Sequence, residues 1–266
     1  MSKIIDTITF FNENFIFDLR YKILKNFVDY FLVCEAEYDH RGNYKKLNFD
    51  YKKYFNDEKI KYFVYKKPLN NENPWANQAI QREFILENLT FADDDDYILF
   101  SDPDEIPNSK VLKNFNLEKK YAIFFQKSFN YKFNLFNKYE TPWEGTRATK
   151  KKNLKSIDFL RQKVVSKNLK YNFLRFDKEK SIQVINNGGW HFNNIMTPEQ
   201  ISIKLKTFAH KEYSSEEFSS PDIIKKKTEK KIDLFNRDYK YYKVELDKTF
   251  PEYLLNNQNL YKKFII

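Results

Sequence analysis

The run Asp93-Asp94-Asp95-Asp96-Tyr97-Ile98-Leu99-Phe100-Ser101-Asp102-Pro103-Asp104-Glu105-Ile106-Pro107 limits the choice of folds more than any other stretch. Tyr97 to Phe100 is short, apolar and bounded by acids, the pattern of a strand buried on both faces. Pro103 has no N–H for a ladder, so the strand must stop there. Carboxylates at the carboxyl end of a central strand lie where open α/β sheets bind ligands. Two aspartates one residue apart can share a hard divalent cation, which in turn can hold a diphosphate. The same acids would also suit a solvated turn.

The preceding sequence alternates in a way that builds a sheet around this strand. Ile4 to Phe11 reads as a first strand, Phe15 to Phe27 as a helix, and Tyr30 to Ala36 as a second strand ending at Glu35 and Glu37. Tyr38 to Lys46 reads as a loop, Ile60 to Tyr65 as a third strand, then an asparagine-rich turn after Pro68 and a helix from Trp75 to Leu89. This order predicts βαβ units and a mainly parallel sheet. With only four glycines, the chain has neither a Gly-x-Gly-x-x-Gly fingerprint nor a P-loop.

The second half reads differently. Tyr121 to Phe136 predicts a long strand or hairpin, Thr141 to Gly145 a loop carrying Trp143, Lys150 to Lys155 a basic patch, and Ser156 to Val165 a short helix. Ser181 to Ile185 reads as a strand leading into Asn187-Gly188-Gly189-Trp190-His191-Phe192. The two glycines permit unusual backbone angles or close approach. Thr197-Pro198-Glu199-Gln200 predicts a capping box opening a helix to about His210. Phe218 to Asp222 reads as a linker and Ile223 to Tyr239 as a basic amphipathic helix. No repeat or low-complexity linker divides the chain, so a single domain over 1–266 is expected.

Several residue types could carry chemistry. His191 could complete a metal site with Asp102 and Asp104, or be structural; His40 and His210 read as surface or packing residues. Trp143 and Trp190 could stack on a sugar or base, or pack in the core. Arg82 could reach a phosphate bidentately, or pair with Glu83 or Glu87. Glu13, Glu35, Glu105 and Glu144 are the candidate general bases. Cys34 is the one cysteine, which excludes an internal disulfide and a multi-cysteine metal site. The net charge of +10 fits attraction to nucleotide phosphates, anionic glycans or anionic lipid heads. No zinc finger, Arg-rich arm or RNA-binding aromatic signature accompanies it, so nucleic acid is not the favoured partner. No stretch approaches the roughly 18 apolar residues of a membrane span, and the N-terminus has no apolar signal core. The expectation is a soluble, cytoplasmic protein, with at most a weak peripheral membrane contact through the lysine-rich helix 223–239.

Five segments together resemble glycosyltransferase family 17, the family of the bisecting β-1,4-N-acetylglucosaminyltransferase of N-glycans. They are Asp6 to Glu13; Phe31 to Glu35 with Gly42; Asp102 to Pro107; Gly189 to Phe192 with Thr197-Pro198-Glu199; and Pro251 to Leu255. The resemblance implies a GT-A fold, a Rossmann-like, mainly parallel sheet flanked by helices, with residues 1–110 as the nucleotide-sugar-binding half and residues 111–266 as the acceptor-binding half. It implies a nucleotide-sugar donor, UDP-linked and carrying N-acetylglucosamine or another hexose, and a divalent cation, Mn²⁺ or Mg²⁺. By position, Asp102 and Asp104 match the metal-holding Asp-x-Asp pair and His191 a further ligand. Glu35 lies where such folds contact the nucleoside, with Arg82, Asp102 and Trp190 as further donor contacts. Glu105 and Glu144 are the preferred bases for inverting transfer to a glycan, lipid-linked saccharide or glycoprotein. Paired aspartates with Mg²⁺ would also serve phosphoryl or nucleotidyl transfer, and the positive charge alone would serve a basic binding module.

Overall fold

The computed structural model describes residues 2–69 and 72–266, so Asn70 and Asn71 of the asparagine-rich turn lie outside the described residues. The strands in chain order are β1 (Ile4–Phe10), β2 (Tyr30–Ala36), β3 (Ile60–Tyr65), β4 (Tyr97–Ser101), β5 (Glu105–Pro107), β6 (Tyr121–Asn130), β7 (Leu135–Phe136), β8 (Trp143–Lys150), β9 (Ile182–Asn193) and β10 (Tyr242–Lys243). The helices are α1 (Asn14–Leu24), α2 (Pro74–Glu87), α3 (Ser109–Leu112), α4 (Ile157–Gln162), α5 (Pro198–Thr207), α6 (Glu216–Ser219), α7 (Pro221–Lys230), α8 (Glu252–Asn256) and α9 (Gln258–Tyr261).

Among the described residues one ten-stranded sheet runs in the order β10-β7-β6-β8-β4-β1-β2-β3, with β9 pairing β5 and β6. β1 to β4 are mutually parallel, as expected. The mainly parallel description holds for the first half alone. β8 runs antiparallel to both β4 and β6, while β9 runs parallel to β6. The sheet is therefore mixed and only roughly Rossmann-like.

Both faces of the parallel part are covered, which is why β2 and β4 read as nearly continuous apolar runs. On one face Phe17, Leu19 and Leu24 of α1 pack with Ile8, Phe31 and Leu99, joined by Phe250 and Leu254 from the C-terminal end. On the other, Ile85 and Leu89 of the α2 region and Ile157 and Leu160 of α4 pack on Ile5, Leu32, Ile98 and Phe100. Cys34 is buried in this second layer as a small core residue. A third cluster joins Ile201 and Leu205 of α5 to Ile224 of α7.

The helix starts follow local chemistry. The Asn73 side chain accepts from Trp75 N, with Pro74 in the first turn of α2. Thr197 and Gln200 form the predicted capping box of α5. The predicted helix 223–239 is shorter, since α7 ends where Lys231 turns left-handed at φ 57°. No helix among the described residues is long and apolar enough to cross a membrane.

The chain places β2 on one side of β1 and β4 on the other, so the carboxyl ends of β1 and β4 flank a topological switch point.

Candidate active site

β4 ends at Ser101, and the Asp102–Glu105 turn closes through a bond from Glu105 N to Asp102 O at 3.0 Å. The Glu105 carboxylate, fully buried, accepts from Asp102 N at 3.1 Å. It also accepts from Trp143 Nε1 at 2.7 Å and from both terminal nitrogens of Arg161, at 3.1 and 2.7 Å. Its carbonyl accepts from Arg20 Nη1 at 2.8 Å, while Arg20 Nε and Nη2 form a buried fork on Asp6. A buried charge needs this many partners, because desolvation would otherwise expel it or neutralise it.

The second half reaches the same turn through β5. Glu105 sits opposite His191 and Pro107 opposite Gly189 in an antiparallel ladder, and Phe192 N donates to Asp104 O at 2.8 Å. Gly189 has φ 144°, and a Cβ there would stand 2.1 Å from the Ile106 carbonyl oxygen. The glycine therefore permits the close approach that brings His191 to the acidic turn. His191 Nε2 lies 3.8 Å from Asp104 Oδ1, and Lys204 Nζ 3.5 Å from Asp104 Oδ2. His191 Nδ1 is buried, with no hydrogen-bond partner among the described residues. The ring is held instead by Trp143, stacked on it at 4.4 Å and 22°.

These groups open onto a cleft of about 540 Å³, a size suited to a small-molecule ligand. Asp102, Asp104, Arg82, Arg161, Lys204 and His191 all line it. Asp102 Oδ2 is 2.7 Å from Arg161 Nη2, and its Oδ1 is 3.9 Å from Arg82 Nη2. Burial opposes the Asp102 charge, but Arg161 and Arg82 outweigh it and hold the carboxyl below the usual aspartate value. Arg161, largely covered, is held above the usual arginine value by Asp102 and Glu105 against the cost of desolvation.

Glu13 lines the cleft as well. One of its oxygens, Oε2, accepts from Phe11 N and Asn12 N, both at 2.8 Å. Burial raises its carboxyl pKa despite those two bonds and nearby Lys204. His40, expected at the surface or in packing, lines the cleft and stacks on Phe208 at 5.5 Å. Burial and then Arg82 lower its pKa to about 4. The far wall carries Tyr213, Phe235, Arg237 and Glu140, with Arg237 Nη1 2.7 Å from Glu140 Oε1.

Of the residues singled out in the sequence, Asp102, Asp104, His191, Arg82, Trp143 and Glu13 line this cleft, and so do His40 and His210, expected at the surface or in packing. Glu105 lies directly behind it, its carboxylate occupied by Arg161 and Trp143. Three others are elsewhere. Glu144 is bound by Ser166 Oγ and Arg147. Glu35 is buried against Lys45, Asn48 N and Tyr62 Oη. Trp190 is in the core, its indole N–H donating to Thr249 O at 3.0 Å. None of these three lines the cleft. Arg161 and Lys204 went unread, because no local pattern marks a lysine or arginine as the one that turns inward.

The donor set offered to a divalent cation is two carboxylates and an imidazole, which suits Mn²⁺ or Mg²⁺. Asp104 Oδ1 and His191 Nε2, 3.8 Å apart, approach the separation of about 3 Å between neighbouring donors on one six-coordinate ion. Asp102 is turned toward Arg161 instead, and no three such side chains among the described residues converge into a ready cage. The residues therefore fit such an ion in donor chemistry, Asp104 and His191 being the pair close enough to share one.

Acids, guanidinium groups and stacked rings thus gather at the carboxyl ends of the parallel strands, where open α/β sheets bind ligands. The family model of glycosyltransferase family 17 matches residues 1–264, and the chain belongs to that family. It is thus a glycosyltransferase, an enzyme working between a nucleotide-sugar donor and a glycan acceptor. No curated protein matches it. Among solved structures, the inositol-1-phosphate CTP transferase from T. maritima aligns over 70% of this chain and 85% of its own, at 13% identity and a TM-score of 0.35.

Proposed function

We propose that this chain moves N-acetylglucosamine or another hexose from a UDP-sugar to a hydroxyl of a glycan, lipid-linked saccharide or glycoprotein, with inversion at the anomeric carbon. The observation that carries the reading is the meeting of Arg82, Arg161 and Lys204 with Asp102 and Asp104 at the β1/β4 switch point. Fixed cations there match a diphosphate, and preorganised charge aimed at a leaving group is the strongest single source of rate in such reactions.

In the proposed step the acceptor oxygen attacks the anomeric carbon and the bond from that carbon to the diphosphate oxygen breaks. The diphosphate leaves with the electron pair. Arg82, Arg161 and Lys204 receive its charge. The acceptor proton passes to a carboxylate. Glu105 and Glu144, the preferred bases on sequence, are tied to arginines behind or beside the cleft. Glu13 suits the role better, since it lines the cleft with a raised pKa and no hydrogen bond among the described residues reaches its Oε1. A divalent cation at Asp104 and His191, with Asp102, would add Lewis-acid neutralisation of the diphosphate.

The test is release of nucleoside diphosphate from a panel of UDP-, GDP-, CDP- and dTDP-sugars, with and without Mn²⁺, for the natural chain and for Asp104→Ala. Metal-stimulated release from one donor, lost in the variant while the melting temperature holds, is expected. Turnover undiminished in Asp104→Ala would remove that residue from the chemistry.

A further inference from the structure

The loop between α4 and β9 carries the two least covered large apolar side chains among the described residues, with a third well exposed beside them. Phe173 is 76% exposed, Leu174 60% and Phe176 87%. Leu169 and Tyr171, just before them, are exposed as well. None of the five belongs to, or packs against, any of the three hydrophobic clusters. Solitary exposed apolar residues are ordinary, but a contiguous group at the tip of one loop marks a contact surface.

The charge around the tip narrows the occupant. Lys163, Lys167 and Lys170 are exposed, and none is ion-paired among the described residues. The acid nearest the tip, Asp177, is already neutralised by Arg175 at 2.7 Å and Lys178 at 3.2 Å. The segment therefore presents bulky apolar and aromatic groups beside unopposed lysines. The area favours the same answer. Two phenylalanines and a leucine, exposed to this degree, offer roughly 400 Å², about half of what each partner of a stable protein interface contributes.

We propose that the 167–180 loop is a peripheral membrane contact, in which Phe173, Leu174 and Phe176 enter the interfacial layer of an anionic bilayer while Lys163, Lys167 and Lys170 meet its headgroups. Apolar insertion beside basic residues is the physical basis of such reversible binding. The lysine-rich helix expected to play this part is a poorer surface. Its apolar Ile224 is turned into the third cluster, and its exposed positions are Asp222, Lys225, Lys226, Glu229 and Lys230.

Co-sedimentation of the full chain with vesicles tests the proposal, comparing phosphatidylcholine alone with phosphatidylcholine mixed with phosphatidylglycerol. The natural chain should pellet with the anionic vesicles and remain in solution with the neutral ones. Phe173→Ser/Phe176→Ser should abolish pelleting with an unchanged melting temperature. Lys167→Gln and Lys170→Gln should each weaken partitioning about fivefold at low salt. Equal pelleting of the double phenylalanine variant would overturn the proposal. So would a dimer in sedimentation equilibrium that this variant abolishes, because the loop would then be the seat of a second copy.

Discussion

Arg161 places Nη2 2.7 Å from Oδ2 of Asp102, across 59 residues of sequence. The same nitrogen is 2.7 Å from Glu105 Oε1, so one guanidinium joins an acid of the cleft to an acid of the interior. Its removal has two separable consequences, in stability and in turnover.

Arg161→Met should destabilise the fold by about 3 kcal/mol, because Glu105 is left buried without its cation. Adding Glu105→Gln should recover most of that loss, since replacing both members of a buried pair costs far less than breaking it. Activity should stay low in the double variant, because the diphosphate-facing charge is still missing. Urea denaturation read beside nucleoside diphosphate release separates the two effects. A double variant no more stable than Arg161→Met would refute the pairing argument.

Gly189→Ala should cost about 2–3 kcal/mol. The new Cβ meets the Ile106 carbonyl, so β5 must shift away from β9, taking Glu105 and Asp104 from His191. The measurable outcome is a lower melting temperature together with a fall in kcat. An alanine variant that melts with the natural chain would show that β5 does not need this close approach.

Glu13→Gln should lower kcat by roughly 10²–10⁴-fold and stabilise the folded chain at neutral pH. The folded pKa of this carboxyl is raised, so the native state holds its proton more tightly than the unfolded chain does. Stability attributable to Glu13 is then greatest in acid and falls as pH rises from the ordinary glutamate value through the raised one. The glutamine keeps an acceptor for Phe11 N and Asn12 N and has no charge to bury. Unfolding measured across pH should show the variant's advantage growing toward neutrality. Full turnover in this variant would exclude Glu13 as the base.

His40 has the opposite sign. Its folded pKa, lowered to about 4, lies below the unfolded value near 6.5. Its contribution is fully present above the unfolded value and is lost as pH falls through the folded one. His40→Gln should flatten the acid limb of the stability profile while leaving the neutral limb nearly unchanged. An acid limb of the same slope in both proteins would assign the loss to other groups.

How much was legible depends on what each residue packs against. β2 and β3 match their sequence readings residue for residue: β2 is buried almost throughout and reads as an apolar run, while the half-buried edge strand β3 is marked by its β-branched and aromatic residues. β8 was hidden. Its sequence, Trp-Glu-Gly-Thr-Arg-Ala-Thr-Lys, has no apolar alternation, yet most of it is buried. It stays buried because its polar groups find partners: Thr146 with Ser101, Arg147 with the Val164 carbonyl, and Thr149 with the Lys120 carbonyl. Periodicity cannot reveal such a strand. The helix expected to reach Tyr239 ends at Lys231, a left-handed residue that no propensity marks in advance. In the site, the acids after β4 and the histidine after the paired glycines were visible as motifs. Their cationic partners were not, since Arg161 and Lys204 resemble the many lysines and arginines that face solvent.

The short β5–β9 ladder also governs when the site comes into being. It joins residues far apart along the chain, and Arg20 must also reach across 85 residues to the Glu105 carbonyl. Such long loops close late, after the local β1–β4 units have formed. A refolding chain should regain its secondary structure before it regains any competence to bind a donor, and a nascent chain would remain inert until its last third has left the ribosome.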